Sequence, residues 1–169
     1  MFTQQTTANS GLMGPRRFIA VDLENVVGGA IPSDEAVTWA KGQIIEALGG
    51  LRTGDQIVLG TSHAGFVTTA CTWTRQRYVV GSGLNGADLA LLDVLDENIA
   101  ARFVEVVVIS GDGIFSTKVA QIAAAGAHVT VVAHLDKLSA KLRLAANSVT
   151  ALPEHCYPTP YGTPPEFAA

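Results

Sequence analysis

Three aspartates in this chain stand where chemistry is common in α/β proteins. Asp22 follows the apolar run from Phe18 to Val21, which is typical of a strand buried on both faces. Asp112 follows a second apolar run, and Asp88 stands at the start of a predicted helix. Because ligands bind at the carboxyl ends of strands in open α/β sheets, we expect these three side chains to converge there.

Three converging carboxylates need protons or a cation to offset their mutual repulsion. Two ionised carboxylates about 4 Å apart repel by about 4 kcal/mol at an effective dielectric constant near 20, so such a cluster takes up protons or holds a cation. Oxygen ligands without histidine or cysteine favour Mg²⁺ or Mn²⁺ over zinc. The sequence therefore predicts a metal site formed by Asp22, Asp88 and Asp112.

Each of these acids also has a purely structural alternative. Asp22 is placed to cap the turn that follows it, and Asp112, between two glycines, is placed to cap a helix. Asp88 stands at the third helical position behind Asn85, a variant of the capping box that needs no ligand.

The order of predicted elements indicates the architecture that would position the acids. Strands and helices alternate along the chain, so we expect an α/β, doubly wound, mainly parallel sheet of five to six strands with helices on both faces. The β-branched strand at 103–109 should lie beside the first. Strands are predicted at 18–21, 56–61, 75–80, 103–109, 128–133 and 148–152, and helices at 33–48, 62–73, 85–99, 114–125 and 136–146.

Length and composition predict one domain with two tails. The chain of 169 residues is long enough for a single core. We expect a flexible N-terminal arm over 1–15, a folded domain over 16–152 and an extended, proline-rich tail over 153–169. Cys71 and Cys156 match no zinc or redox spacing, and no apolar run is long enough for a membrane span. These features favour a soluble, cytoplasmic protein without a membrane partner.

The net charge of the chain disfavours one class of nucleic-acid-binding protein and leaves another open. A net charge of -4 argues against a generic nucleic-acid coat but allows an enzyme that acts on nucleic acid. Arg75 and Arg77 are expected on one side of an edge strand, and Lys137 and Lys141 on one helix face. Either pair is a candidate for phosphate contacts, with ordinary solubilising charge as the alternative.

Several segments together resemble the NYN domain, a branch of the PIN-like nucleases, over about Arg17 to Leu152. The segments that carry the resemblance are DLENV from Asp22, GADLAL from Gly86, VISGDGIF from Val108, and the later stretches AAAGAHVTVVA and LSAKLRLAANSVTAL.

The resemblance implies a PIN-like fold and Mg²⁺- or Mn²⁺-dependent cleavage of RNA, with single-stranded RNA as the expected substrate. On it, the acidic metal-binding positions match Asp22, Asp88 and Asp112, and Asn25 matches the family's asparagine three residues after the first acid. Ser110 matches the small hydroxyl residue before the third acid. We expect Asn25 to orient the attacking water or the phosphate, and Ser110 to brace a carboxylate. Glu24 is a further carboxylate near the site. A homodimer is a possible assembly.

The chain departs from the family pattern, which keeps other functions open. Family members commonly carry an acid at the position of Ile114 and often a lysine at that of Asn85, and aspartate is common at that of Asn147. The first alternative is therefore a catalytically weakened module that binds RNA or protein. The second is a phosphatase of the haloacid dehalogenase type with Asp22 as nucleophile, although that chemistry expects an aspartate where Glu24 stands.

Overall fold

The computed structural model describes residues 16–153 and 156–158, and within them the chain forms one six-stranded sheet. The strands are β1 (Arg17–Asp22), β2 (Gln56–Ser62), β3 (Arg77–Gly81), β4 (Glu105–Ile109), β5 (His128–Ala133) and β6 (Ser148–Ala151). Every pairing is parallel, and the order across the sheet is β3-β2-β1-β4-β5-β6. The sheet is thus entirely parallel, and β4 lies beside β1 as expected.

Seven helices lie between the strands in chain order. They are α1 (Leu23–Val27), α2 (Asp34–Ala47), α3 (His63–Thr72), α4 (Gly86–Leu95), α5 (Ile99–Arg102), α6 (Ser116–Ala124) and α7 (Ala140–Ala145), within the described part of the chain. A short 3-10 turn at Gly113–Phe115 precedes α6. The α/β, doubly wound fold expected from the sequence is confirmed.

Each face of the sheet carries its own apolar core. Leu91 of α4, Val119 of α6 and Leu142 of α7 pack on one face, while Val37 and Ile44 of α2 pack on the other. β1 supplies both cores, because alternate side chains of a strand point to opposite faces and all six of its residues are buried. Such two-sided burial explains why the sequence of β1 is apolar without alternation.

The order of strands reverses between β1 and β4. From β1 the chain builds outward to β2 and β3, then returns to place β4 on the other side of β1. Such a reversal leaves a crevice at the carboxyl ends of the two strands, since the following loops leave toward opposite faces. Asp22 is the last residue of β1, and Ser110 directly follows β4.

Several elements begin or end elsewhere than expected. A short helix, α1, follows Asp22 where a turn was expected. Strand β3 begins at Arg77, so Arg75 lies outside it with a left-handed φ of 64°. Asn85 is the N-cap residue of α4, as expected, but it adopts a left-handed conformation and makes no side-chain cap, so the capping box considered as the alternative role of Asp88 does not form.

The last helix is also shorter than expected. Helix α7 begins at Ala140, so Lys137 lies in the preceding turn and does not share a helix face with Lys141. The turn is held against the end of β4, since the Ser139 N–H donates to the Gly111 carbonyl at 2.9 Å.

The predicted tails fall mostly beyond the described residues. The predicted flexible arm, 1–15, lies outside them, as do 154–155 and 159–169 of the proline-rich tail. Cys156 to Pro158 are described, and the Tyr157 ring packs against Trp39 with centroids 5.5 Å apart. Among the helices described, none has the length and apolar character needed to cross a membrane.

Candidate active site

Asp22 lies at the carboxyl end of β1 and is only 5% exposed. One carboxylate oxygen, Oδ1, accepts a hydrogen bond from the Asn25 N–H at 3.1 Å and so caps α1. The other oxygen, Oδ2, accepts from the Ser110 hydroxyl at 2.8 Å. The capping role proposed as an alternative is therefore real, but it uses one oxygen and leaves the carboxylate at the crevice.

Ser110 and Asp112 approach Asp22 from the neighbouring strand. Ser110 follows β4 and is 1% exposed, and its Oγ also accepts from the Asp112 N–H at 3.1 Å. Asp112 Oδ1 accepts from the Ile114 N–H at 2.9 Å, which caps the 3-10 turn. Ser110 thus braces the Asp22 carboxylate and links it to the loop that carries Asp112.

Asn25 and Glu24 fix α1 to the strand ends on either side. Asn25 Oδ1 accepts from the Gly111 N–H at 2.9 Å, joining α1 to the loop after β4. Glu24 Oε1 accepts from the Ser62 N–H at 3.1 Å, joining α1 to the end of β2. Residues that are far apart in sequence are therefore locked together at the crevice by side-chain to backbone hydrogen bonds.

Asp88 reaches the same place from the first turn of α4. The start of that helix is pressed against the end of β3, because a Cβ on Gly81 would lie 1.9 Å from the Gly86 carbonyl oxygen. Only glycine permits this approach. The Asp22 and Asp88 carboxyl groups lie close enough to share a hydrogen bond when one of them is protonated.

The paired carboxyl groups are electrostatically unfavourable. Burial, and then the charge of Asp88, raise the pKa of Asp22 from 3.8 to about 7. Burial and the charges of Asp112 and Glu24 raise the pKa of Asp88, although the hydrogen bond from Asp22 opposes this increase. Ionising both Asp22 and Asp88 is unfavourable, because each carboxylate repels the negative charge of its neighbours. The pair therefore keeps a proton at moderately acidic pH.

A cavity of about 370 Å³ opens over the carboxylates. Its walls include the three predicted aspartates, Asn25 and Lys137. The exposed Lys137 ammonium donates to Cys156 Sγ at 2.6 Å. The predicted convergence of Asp22, Asp88 and Asp112 therefore occurs in the structure, with one predicted lysine beside them.

The donor set suits a hard cation, with two carboxylates rather than three. Among the described residues, no three His, Cys, Asp or Glu side chains are grouped closely enough to ligate one metal ion. Asp112 and Glu24 instead accept backbone N–H groups. Mg²⁺ commonly keeps several waters and uses one or two carboxylates, so the pair of the buried Asp22 and the half-buried Asp88 fits such an ion.

The other predicted substrate-binding residues lie elsewhere. Arg75 and Arg77 precede or begin β3, at the amino end of the sheet, while the aspartates lie at its carboxyl end. Lys141 is exposed on α7 and does not line the cavity. The structure therefore brings only Lys137 of these four cations to the acidic cavity.

The sequence reasoning missed a polar pair near the cavity. The Ser82 hydroxyl and His63 Nδ1 are 2.8 Å apart, and both side chains are exposed. Each is a chain neighbour of a cavity-lining residue, Gly81 or Ser62. The sequence offered one indication of this pair: His63 and Ser82 come after the predicted strands β2 and β3, at the carboxyl edge of the sheet where the aspartates were expected.

Comparison with known proteins identifies the fold and nothing further. No protein-family model and no curated protein matches this chain. Among solved structures, it is similar to a protein of unknown function from Vibrio parahaemolyticus, with a TM-score of 0.54 and 18% sequence identity. The similarity covers 82% of this chain and 93% of the Vibrio protein. At this identity the likeness supports a shared α/β architecture.

Proposed function

We propose that this protein is a Mg²⁺- or Mn²⁺-dependent endoribonuclease of the NYN/PIN-like class that hydrolyses single-stranded RNA. The observation that carries the proposal is the closely placed pair of the buried Asp22 and the half-buried Asp88 at the strand-order reversal. A pair that repels charge so strongly is costly in a folded protein unless a cation binds there.

The surrounding residues have distinct roles in this proposal. Asp22 and Asp88 hold the cation, and Ser110 fixes the orientation of Asp22 through its hydrogen bond to Oδ2. Asn25 uses its carbonyl oxygen on Gly111, which leaves its amide Nδ2 to donate to a phosphate oxygen. Lys137 supplies a positive charge in the cavity for the phosphodiester.

The reaction is hydrolysis of a phosphodiester. When bound, a divalent cation stabilises charge on the phosphate oxygens and lowers the pKa of a bound water. Asp112, with Oδ2 not used by the cap on Ile114, accepts a proton from the attacking water directly or through solvent. The open cavity, about 370 Å³, admits a nucleotide of a flexible strand.

Four single substitutions test the proposal. We expect Asp22→Asn and Asp112→Asn to reduce kcat/KM for Mn²⁺-stimulated cleavage of single-stranded RNA by about 100-fold or more, as removal of one electrostatic group commonly does. Asp88→Asn should have the same effect. Asp93→Asn is the matched control because Asp93 is exposed on the same helix, and it should retain activity.

A catalytically inactive RNA- or protein-binding module is the second candidate. Ile114 favours it, since this side chain packs against the apolar core where nuclease relatives commonly carry an acid. If wild-type protein cuts neither RNA nor DNA with Mg²⁺ or Mn²⁺, or if Asp22→Asn cuts RNA as fast as wild type, the nuclease proposal is wrong. RNA binding by an inactive wild-type protein would then support the module.

A further inference from the structure

The arginines are concentrated at the amino end of the sheet, opposite the acidic cavity. Six of the seven arginines in the sequence lie at the starts of β1 and β3, in the loop before β2, or just before β4. They are Arg16, Arg17, Arg52, Arg75, Arg77 and Arg102. This concentration is unexpected in a chain with a net charge of -4.

Only half of this positive charge is neutralised by ion pairs. Arg17 pairs with Asp55, Arg52 with Glu105 and Arg77 with Glu97. The remaining three arginines make no hydrogen bond to a carboxylate within residues 16–153 and 156–158. These are Arg16, Arg75 and Arg102.

Two of these remaining arginines are held by an aromatic ring. The guanidinium groups of Arg16 and Arg102 lie 5.2 and 5.4 Å from the centroid of the Phe103 ring. Arg102 also helps to lower the pKa of Glu97, whose carboxylate is hydrogen-bonded to Arg77. Glu97 therefore lies near the positive charges of both Arg77 and Arg102, and it forms an ion pair with Arg77.

A cavity of about 400 Å³ lies among these side chains. Arg75, Arg77 and Arg102 line it, together with Gln56 and Gln76. Two acids, Asp55 and Glu97, also line it, and each is neutralised by an arginine partner, Arg17 or Arg77. Arg75 is exposed and holds a left-handed φ of 64°, a conformation that residues with a side chain rarely adopt. The cavity is of a size that accepts an organic ligand rather than a single small ion.

We propose that this arginine cavity binds the di- or triphosphate group of a nucleotide. Guanidinium groups bind phosphate oxygens through paired N–H donors, and several of them together suit a ligand with more than one negative charge. The glutamine amides are suited to hydrogen-bond a base or ribose. The same group occurs on a free nucleotide and at the 5′ end of a primary RNA transcript.

The site is independent of the proposed nuclease activity, so binding is measured without metal. Isothermal titration of the full chain in EDTA uses GTP, ATP and one RNA oligonucleotide with either a 5′-triphosphate or a 5′-hydroxyl end. Arg75→Gly suits the left-handed backbone, and Arg102→Gln keeps the stem of the side chain against Phe103. Arg143→Ala is the control, since this exposed arginine on α7 is the seventh in the sequence.

We expect Arg75→Gly and Arg102→Gln each to weaken binding of the phosphorylated probe at least tenfold, with less than a twofold change for Arg143→Ala. Binding of GTP or ATP assigns the site to free nucleotides. Binding of the 5′-triphosphate RNA without binding of GTP or ATP assigns it to RNA ends. No binding of any probe overturns the proposal. Equal binding of the 5′-hydroxyl RNA, or an equal loss in Arg143→Ala, also overturns it.

Discussion

At the scale of single residues, Asp22 combines a structural and a chemical role. Its Oδ1 caps α1 and its Oδ2 accepts the Ser110 hydroxyl, so the carboxylate is fixed in place at little conformational cost. Burial beside Asp88 makes its charged form unfavourable. The same contacts that position the group therefore also create the need for a proton or a cation.

The pKa of Asp22 makes the metal-free protein less stable as the pH rises. Because the folded pKa is about 7 against an ordinary value of 3.8, the folded state keeps a proton that the unfolded state has lost between these pH values. The free energy of unfolding should fall from about pH 4 to pH 7 and then level off. At about 1.4 kcal/mol per pKa unit, the loss for Asp22 is roughly 4 kcal/mol.

Urea unfolding in EDTA at pH 5 and pH 8 measures this effect. Asp22→Asn removes the titrating group, so its unfolding free energy should change much less between the two pH values than that of wild type. Equal changes in the two proteins would show that Asp22 does not carry the shifted pKa.

At the scale of elements, the site depends on how closely α4 approaches the end of β3. Gly81 and Gly86 allow the two backbones to touch, and this contact sets the position of the first turn of α4, which carries Asp88. On the other side, Asn25 and Ser139 each bind the Gly111 backbone and hold the loop after β4 in place. The carboxylates are thus positioned by backbone contacts from three separate parts of the chain.

A pair of glycine substitutions tests the contact between α4 and β3. Gly81→Ala places a Cβ 1.9 Å from the Gly86 carbonyl oxygen, so the helix start must shift. We expect a loss of about 3 kcal/mol in unfolding free energy, together with loss of Mn²⁺-stimulated cleavage.

Gly42→Ala is the matched control for this substitution. Gly42 lies within α2, and a Cβ there would have no heavy atom within 4 Å. Alanine should stabilise the helix by about 0.5 to 1 kcal/mol and leave cleavage unchanged. If Gly81→Ala is as stable and active as Gly42→Ala, the close approach does not position Asp88. Circular dichroism and RNA cleavage measured on both variants decide between these results.

The sequence predicts the elements better than their junctions. The buried strands and α2, with its Ser33 cap, follow from apolar runs and capping residues that act locally. The left-handed Arg75 and the turn that carries Lys137 depend on tertiary contacts, which periodicity does not report. Convergence of Asp22 and Asp112 was predictable because both follow parallel strands, whereas the close approach of Asp22 and Asp88 depends on the contact at Gly81.

At the scale of the whole molecule, the acidic cavity and most of the arginines lie at opposite ends of the sheet. The carboxyl end carries the acidic cavity with Lys137, and the amino end carries most of the arginines. Within the described residues, Lys137 is the sole lysine or arginine in the lining of the acidic cavity. RNA held at this end should therefore make few contacts between phosphates and cationic side chains.

The salt dependence of cleavage measures the number of those contacts. For single-stranded nucleic acid, the slope of log affinity against log salt is about -0.7 per phosphate neutralised, so we expect a slope for kcat/KM between about 0 and -2 at fixed Mn²⁺. Lys137→Ala should make the slope shallower by about 0.7. Lys141→Ala is the control and should leave the slope unchanged. A wild-type slope steeper than about -2 would indicate that the RNA binds on another surface. So would a slope that Lys137→Ala does not change.

The most direct measurement is anomalous X-ray diffraction from crystals soaked in Mn²⁺, recorded above the manganese absorption edge. We expect one strong peak between the carboxylates of Asp22 and Asp88, in the cavity that Asp112 also lines, and no peak there in Asp22→Asn. A structure without manganese at this pair, or with the two side chains turned apart, would contradict the proposed cation site.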